Sequence, residues 1–152
     1  ARPPKGQTWK QIFIDEVRAQ ISDEDWARVR FLGRIPYDQF LRLLQVSRVH
    51  VYLTYPFVLS WSLMEAMSCS AAIVAGDTAP VREVITHGET GRLVDFFDRE
   101  ALVDEICALL EDAGARAQLG KTARELIRAR YDLRGICLPR QLRWVEDLAS
   151  AG

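Results

Sequence analysis

Apolar residues recur along this chain at two spacings, and the alternation between them lays out the elements. From residue 8 to 20, Trp9, Ile12, Phe13 and Val17 fall three and four apart with Asp15, Glu16 and Arg18 between them, which predicts an amphipathic helix. Residues 28–32 form a short strand ending at Gly33, Arg34, Ile35 and Pro36. Pro36 opens a helix, where its missing N–H costs nothing, with Phe40, Leu43, Leu44 and Val46 inward. A strand follows at residues 49–53, then a loop at 54–59 and a short helix carrying Glu65. The next strand (72–75) runs into the loop 76–80 and a short helix over 81–86, closed by His87 and Gly88. The turn Gly88-Glu89-Thr90-Gly91 leads to a strand at 92–95. Asp98 is placed to cap a helix over 99–111, with Leu102, Val103, Ile106 and Leu110 on one face. Gly114 breaks that helix. Another spans 115–130 with Leu119, Ala123, Leu126 and Ile127 inward, and Pro139 opens a last one with Leu142, Val145 and Leu148 on one side.

The order is helix and strand alternating four times, then further helices. Strands that read as unbroken apolar runs are covered on both faces, which implies an α/β fold: a Rossmann-like parallel sheet with helices on both sides. Residues 1–7, with two prolines, read as a linker or disordered end, and residues 8–152 as one domain. Parallel α/β units ordinarily open on a strand, whereas this chain opens on a helix. The expectation is that strands precede residue 1 in a longer protein.

Composition narrows this picture only a little. At 152 residues the chain can bury roughly 70% of its unfolded surface. A net charge of −1 gives no general attraction to nucleic acid. The charge is uneven, however: residues 116–143 carry +6 and the rest −7. That tract reads as a solvated basic face or as a surface for anionic lipid or an acidic partner. Cys69, Cys107 and Cys137 are odd in number and far apart, which predicts packed, reduced thiols in a cytoplasmic protein. No apolar run approaches the ~18–20 residues that would span a bilayer, so membrane association would be peripheral, at the inner face.

In open α/β sheets ligands bind beyond the carboxyl ends of the strands. Those ends are Gly33, Arg34 and Ile35, the stretch 54–62, the stretch 77–82 and the region of Gly88 and Gly91. Backbone N–H groups near Ser60, Trp61 and Ser62 could hold a diphosphate. Neither a GxGxxG nor a GxxxxGK[ST] pattern is present. Glu65 has two readings. It could accept both hydroxyls of a ribose, or it could close a capping box by reaching back to the Ser62 N–H. His50 reads as a core residue and His87 as part of a turn. No His, Cys, Asp or Glu cluster has metal-ligand spacing.

The segments SLMEAM, AAIVAGDTAPVREVI and HGETGRLVDFF, led in by FLGRIPYDQFLRLLQVSRVHVYLTY, resemble the C-terminal, donor-binding domain of retaining family 4 glycosyltransferases of the GT-B fold. The resemblance covers residues 29–131. It implies a nucleotide-sugar donor, UDP-, GDP- or ADP-linked, an N-terminal acceptor domain of the same enzyme, and sugar transfer with retention and without a metal. It places Glu65 on the donor ribose and the amides of Ser60, Trp61 and Ser62 toward the diphosphate. Gly33, Arg34 and Ile35 would lie by the base, Tyr55, Pro56 and Phe57 by the sugar, and Thr78 in the donor site. Two features depart from the family. Phe57 stands where a second carboxylate is expected, eight residues before Glu65, and the phosphate-gripping Arg and Lys are not found. No catalytic base is assigned. The competing readings are a nucleotide-sugar epimerase and a non-catalytic GT-B-derived binding module.

Overall fold

A computed structural model describes residues 2–54 and 58–150, and the chain divides between Ile35 and Pro36 into two compact units, Ala1–Ile35 and Pro36–Gly152. The first unit holds helix α1, Trp9–Arg18, and one helical turn α2, Asp23–Trp26. Thr8 caps α1 by accepting from the Gln11 N–H at 3.2 Å, and Ser22 caps α2 through the Asp25 N–H at 3.1 Å. Its apolar residues pair as rings: Trp9 stacks on Phe13 with centroids 5.9 Å apart, Trp26 meets Phe31 at 6.1 Å, and the Lys10 ammonium lies 4.2 Å from the Phe31 centroid. None of its described residues is fully buried.

The strand expected at residues 28–32 does not form. The Arg28 and Val29 N–H groups donate to the carbonyls of Asp25 and Trp26, at 3.0 Å each, so the backbone that a ladder would need continues the α2 turn instead. Sequence spacing also missed α2 itself, whose four residues are too few to show a period.

The second unit is organised on a parallel sheet of three strands in the order β1 (His50–Tyr52), β2 (Ile73–Gly76), β3 (Arg92–Val94). Around it lie α3 (Tyr37–Val46), α4 (Trp61–Ser68), the single turn α5 (Ala79–Arg82), α6 (Arg99–Glu111) and α7 (Ala113–Tyr131). A π-helical turn, Leu133–Cys137, then leads into α8 (Leu138–Ser150). Every residue of β2 is buried. Its period of two divides the core: Ile73 and Ala75 face Leu63, Met67, Val81 and Ile127, whereas Val74 joins Val94, Leu109 and Leu119. One face is therefore covered by α3, α4, α5 and α7, the other by α6 and the beginning of α7. A fully buried Leu, Ile or Met side chain contributes about 1.5–3 kcal/mol, so this two-sided coverage is the main stabilising term.

Several boundaries differ from those expected. Pro36 is the residue before α3 rather than inside it, with ψ 148°. The helix expected over 81–86 begins earlier, at Ala79, and ends at Arg82. Gly114 does not break the helix. The break is at Asp112, whose backbone leaves the helical region (φ −100°, ψ 96°) and whose carboxylate accepts the Ala115 N–H at 2.8 Å to start α7. The inward stripe of α6 is Leu102, Ile106 and Leu109, one step round from Val103 and Leu110, which are exposed. The same rotation leaves Cys107 exposed, so only Cys69 and Cys137 are partly packed. Leu142, Val145 and Leu148 are exposed, because α8 packs chiefly on the π-helical turn before it.

The tightest packing is backbone on backbone. After α4 the chain turns through Ser70, which takes φ +61°. The Ala71 N–H then returns to the Ala66 carbonyl (3.1 Å) and the Ser70 N–H to Met67 (3.0 Å), the bond pattern of a Schellman motif. α7 crosses this turn at Gly120, where a Cβ would overlap the Ser70 carbonyl oxygen.

Gly120→Ala is expected to lower unfolding free energy by about 1–3 kcal/mol, measured by urea denaturation, because the obstacle is backbone and the helical preference for Ala (~1 kcal/mol) does not offset it. His50 supplies a second expectation. Burial pushes its imidazole pKa below the ordinary value of 6.5, so the unfolded chain binds the proton more readily. Its contribution is complete above pH ~6.5 and is lost as pH falls toward the depressed folded value. Urea midpoints at pH 7.5 and 5.5 will show this loss in the wild type and a smaller one in His50→Gln.

Candidate functional site

The loop after β1 leads into α4, and the amino end of this helix gathers most of the expected site residues. Ser60 is the N-cap: its Oγ accepts the Ser62 N–H at 3.2 Å and shares a 2.8 Å hydrogen bond with Ser62 Oγ. Trp61 is the first helical residue and is 80% exposed. Of the three amides expected to face a diphosphate, that of Ser62 is thus already engaged by Ser60. Phe57, with Tyr55 and Pro56, lies outside the described residues.

The capping-box reading of Glu65 fails on position. With Ser60 as cap, the third helical residue is Leu63, and Glu65 lies too far along to close on the cap. Its carboxylate turns out of α4 instead, and Oε1 accepts a 2.8 Å hydrogen bond from the Tyr37 hydroxyl on the first turn of α3. That carboxylate in turn raises the pKa of the Tyr37 phenol, first through the hydrogen bond and then through burial and repulsion of a second negative charge. Sequence reasoning missed Tyr37. A hydrogen bond across 28 positions leaves no periodic signal in the sequence.

Beside Glu65 is a hollow of about 470 Å³ between α4, the end of α7 and the start of α8. It is lined mainly by apolar groups, among them Met64, Ile127, Tyr131 and Leu133, with Gln141 as a further polar member.

The other expected residues are distributed as follows. Thr78 follows β2, so it lies at the same carboxyl edge of the sheet as the start of α4. It is 6% exposed, precedes α5 without a side-chain capping bond, and its Oγ1 has no hydrogen-bond partner among the described residues. Next to it Asp77 receives two bonds from the Arg82 guanidinium, at 2.5 and 2.7 Å. That fork holds the Asp77 pKa below its ordinary value. Gly33, Arg34 and Ile35 belong to the first unit. Gly33 has φ +63°, a turn conformation that favours glycine.

Both histidines behave as structural groups. His50 is half-buried in β1, and His87 Nδ1 accepts the Leu93 N–H at 3.1 Å, bracing the turn before β3. The basic tract is partly consumed internally: Arg116 donates to the carbonyls of Leu109 and Leu110 at the end of α6, and Lys121 pairs with Glu125 at 4.0 Å. Among the described residues no helix is long and apolar enough to cross a membrane, and no group of three or more His, Cys, Asp and Glu is placed to hold a metal ion.

Comparison with known proteins matches this architecture. N-acetyl-alpha-D-glucosaminyl L-malate synthase of Bacillus anthracis is 32% identical over 100 residues, covering 66% of this chain and 26% of that protein. Phosphatidyl-myo-inositol mannosyltransferase of Mycolicibacterium smegmatis is 31% identical over 142 residues, covering 91% of this chain and 35% of its own length. The chain thus spans about a quarter to a third of these relatives. Among solved structures, HepE of Anabaena in complex with UDP superposes with TM-score 0.74 at 24% identity, over 98% of this chain and 42% of that one. The C-terminal domain of a group 1 family glycosyl transferase, LpcC of Francisella tularensis, does so with TM-score 0.73 at 19% identity, over 87% and 67%. The fold shared with these structures is the Rossmann-like C-terminal domain of the GT-B glycosyltransferases. The pattern of the family described as "Glycosyl transferases group 1" matches residues 15–126, and the chain belongs to that family.

Proposed function

We propose that this chain is the donor-binding part of a retaining, family 4 glycosyltransferase that moves a sugar from a nucleoside diphosphate onto a glycan or lipid-linked acceptor. The observation that carries the reading is the placement of Glu65. Its carboxylate stands one turn into the helix that begins at the carboxyl edge of β1, and it is not consumed by a capping box. Family membership supplies the context: the mannosyl- and glucosaminyl-transferring relatives share this segment, and HepE, of the same fold, has been solved with UDP.

In this reading Glu65 accepts the vicinal hydroxyls of the donor ribose. The diphosphate lies at the amino end of α4, where the helix dipole and the Trp61 N–H favour negative charge. As the bond from sugar to phosphate breaks, charge builds on the leaving diphosphate. Fixed backbone dipoles stabilise that charge without having to reorganise. The Thr78 hydroxyl, buried beside the end of β2, supplies a further donor. No metal is assigned a role. The acceptor is held by a partner domain of the same enzyme, and the polymer or lipid product makes this a biosynthetic transferase.

Glu65→Gln in the full-length protein is expected to weaken binding of the cognate nucleoside diphosphate by about 1.5–3 kcal/mol, the range for a charge-assisted hydrogen bond, with unfolding free energy nearly unchanged. Calorimetric titration with UDP, GDP and ADP measures the first and urea denaturation the second. The reading is overturned if saturating concentrations of all three leave the amide resonances of residues 60–65 of the wild type unshifted.

A further inference from the structure

The Glu65 carboxylate is held from outside its own helix, and the group that holds it is a neutral donor. Tyr37 opens α3 directly after Pro36, whose backbone is set at φ −55° and ψ 148°. This fixes the direction in which the first helical side chain leaves. The Tyr37 ring lies 6.3 Å from that of Phe40, and its hydroxyl reaches Glu65 Oε1 at 2.8 Å. The ring is 61% exposed, so burial of its own surface is not what keeps it there. Nor do α3 and α4 need this bond to stay together: Leu44 of α3 and Leu63 of α4 lie in one buried cluster, with Phe40 and Leu41 packed against it.

Building on the ribose role of Glu65, we propose that Tyr37 is a positioning residue: its hydroxyl pins Oε1 so that the remaining lone pairs of the Glu65 carboxylate face the two vicinal hydroxyls of a ribose. An ionised carboxylate offers about four acceptor sites. Tyr37 takes one, and a diol needs two. A free glutamate side chain on a helix samples several rotamers, and freezing it when the ligand arrives would subtract from affinity. Freezing it in the fold beforehand removes that cost. The chemistry of the pin matters as well. A Lys or Arg here would neutralise the carboxylate, whereas a phenol orients it and leaves its charge for the ribose hydroxyls. A phenol is already protonated and donating at neutral pH, and the neighbouring carboxylate moves its pKa further in the same direction, upward.

The test compares UDP, GDP and ADP with their 2′,3′-dideoxy counterparts, and inorganic pyrophosphate, by titration calorimetry on full-length wild type, Tyr37→Phe and Glu65→Gln. For the nucleotide that binds, the ratio of dideoxy to ribo dissociation constants reports recognition of the diol alone. Tyr37→Phe should weaken ribonucleotide binding about 3- to 10-fold, leave the dideoxynucleotide and pyrophosphate affinities unchanged, and so reduce the ratio by the same factor. A purely structural contact would weaken all ligands together and leave the ratio intact, and that result overturns the inference, as does no effect at all. If Glu65→Gln collapses the ratio while Tyr37→Phe does not change it, the ribose reading stands and the role of Tyr37 falls. If Glu65→Gln leaves the ratio intact, or none of the three nucleotides binds wild type, the ribose reading itself falls and this inference with it.

Discussion

The close approach of α7 to the turn after α4 is the constraint on which the arrangement of the second unit depends. Gly120 meets the Ser70 carbonyl at a distance that no side chain would allow. From this seat α7 lays Ala123 and Ile127 into the cluster formed by Leu63, Met67 and Ile73. The seat fixes the carboxyl end of α4, and the Schellman bonds from Ser70 and Ala71 tie that end to the entry into β2. α4 is only eight residues long, so fixing one end fixes the other. The position of Ser60, Trp61 and Glu65 at the sheet edge is thus decided by a glycine more than fifty residues further along the chain.

Much of this fold was legible because its central strand is apolar on both faces. A run such as Ile73-Val74-Ala75 has no stable place except between two layers of helix, and the elements around it follow from their periods. What was not legible is where contact or local bonding overrode pattern. Residues 28–32 have strand composition, yet the N–H groups of the first two, Arg28 and Val29, are spent on the α2 turn. Leu109 rather than Leu110 is buried because the sheet, not the helix, decides which side of α6 faces inward. Gly114 looked like a breaker, but Asp112 ends one helix and caps the next, while Arg116 satisfies the last carbonyls of α6. The spacing of Leu142, Val145 and Leu148 puts them on one side of α8, as expected, but spacing does not show whether a partner exists to cover that side, and all three are exposed.

The site was legible in composition and less so in wiring. Glu65 could be identified as a carboxylate near the start of a helix, with two uses left open. The choice turned on which serine caps that helix, and Ser60 and Ser62 are equivalent by residue type. Only backbone geometry separates them, with Ser60 extended at ψ 140° and Ser62 inside the helix. Tyr37 was invisible for another reason: its relation to Glu65 exists only because α3 and α4 pack side by side.

The rigidity of α4 has one more consequence. Trp61 and Glu65 are four residues apart on a single continuous helix, so their positions along its axis differ by about 6 Å. Neither a loop movement nor a change of side-chain rotamer can alter that backbone interval. The helix acts as a gauge of fixed length between an amide end and a carboxylate end. Divergence toward a new ligand would therefore preserve this spacing and instead alter the groups on either side of it.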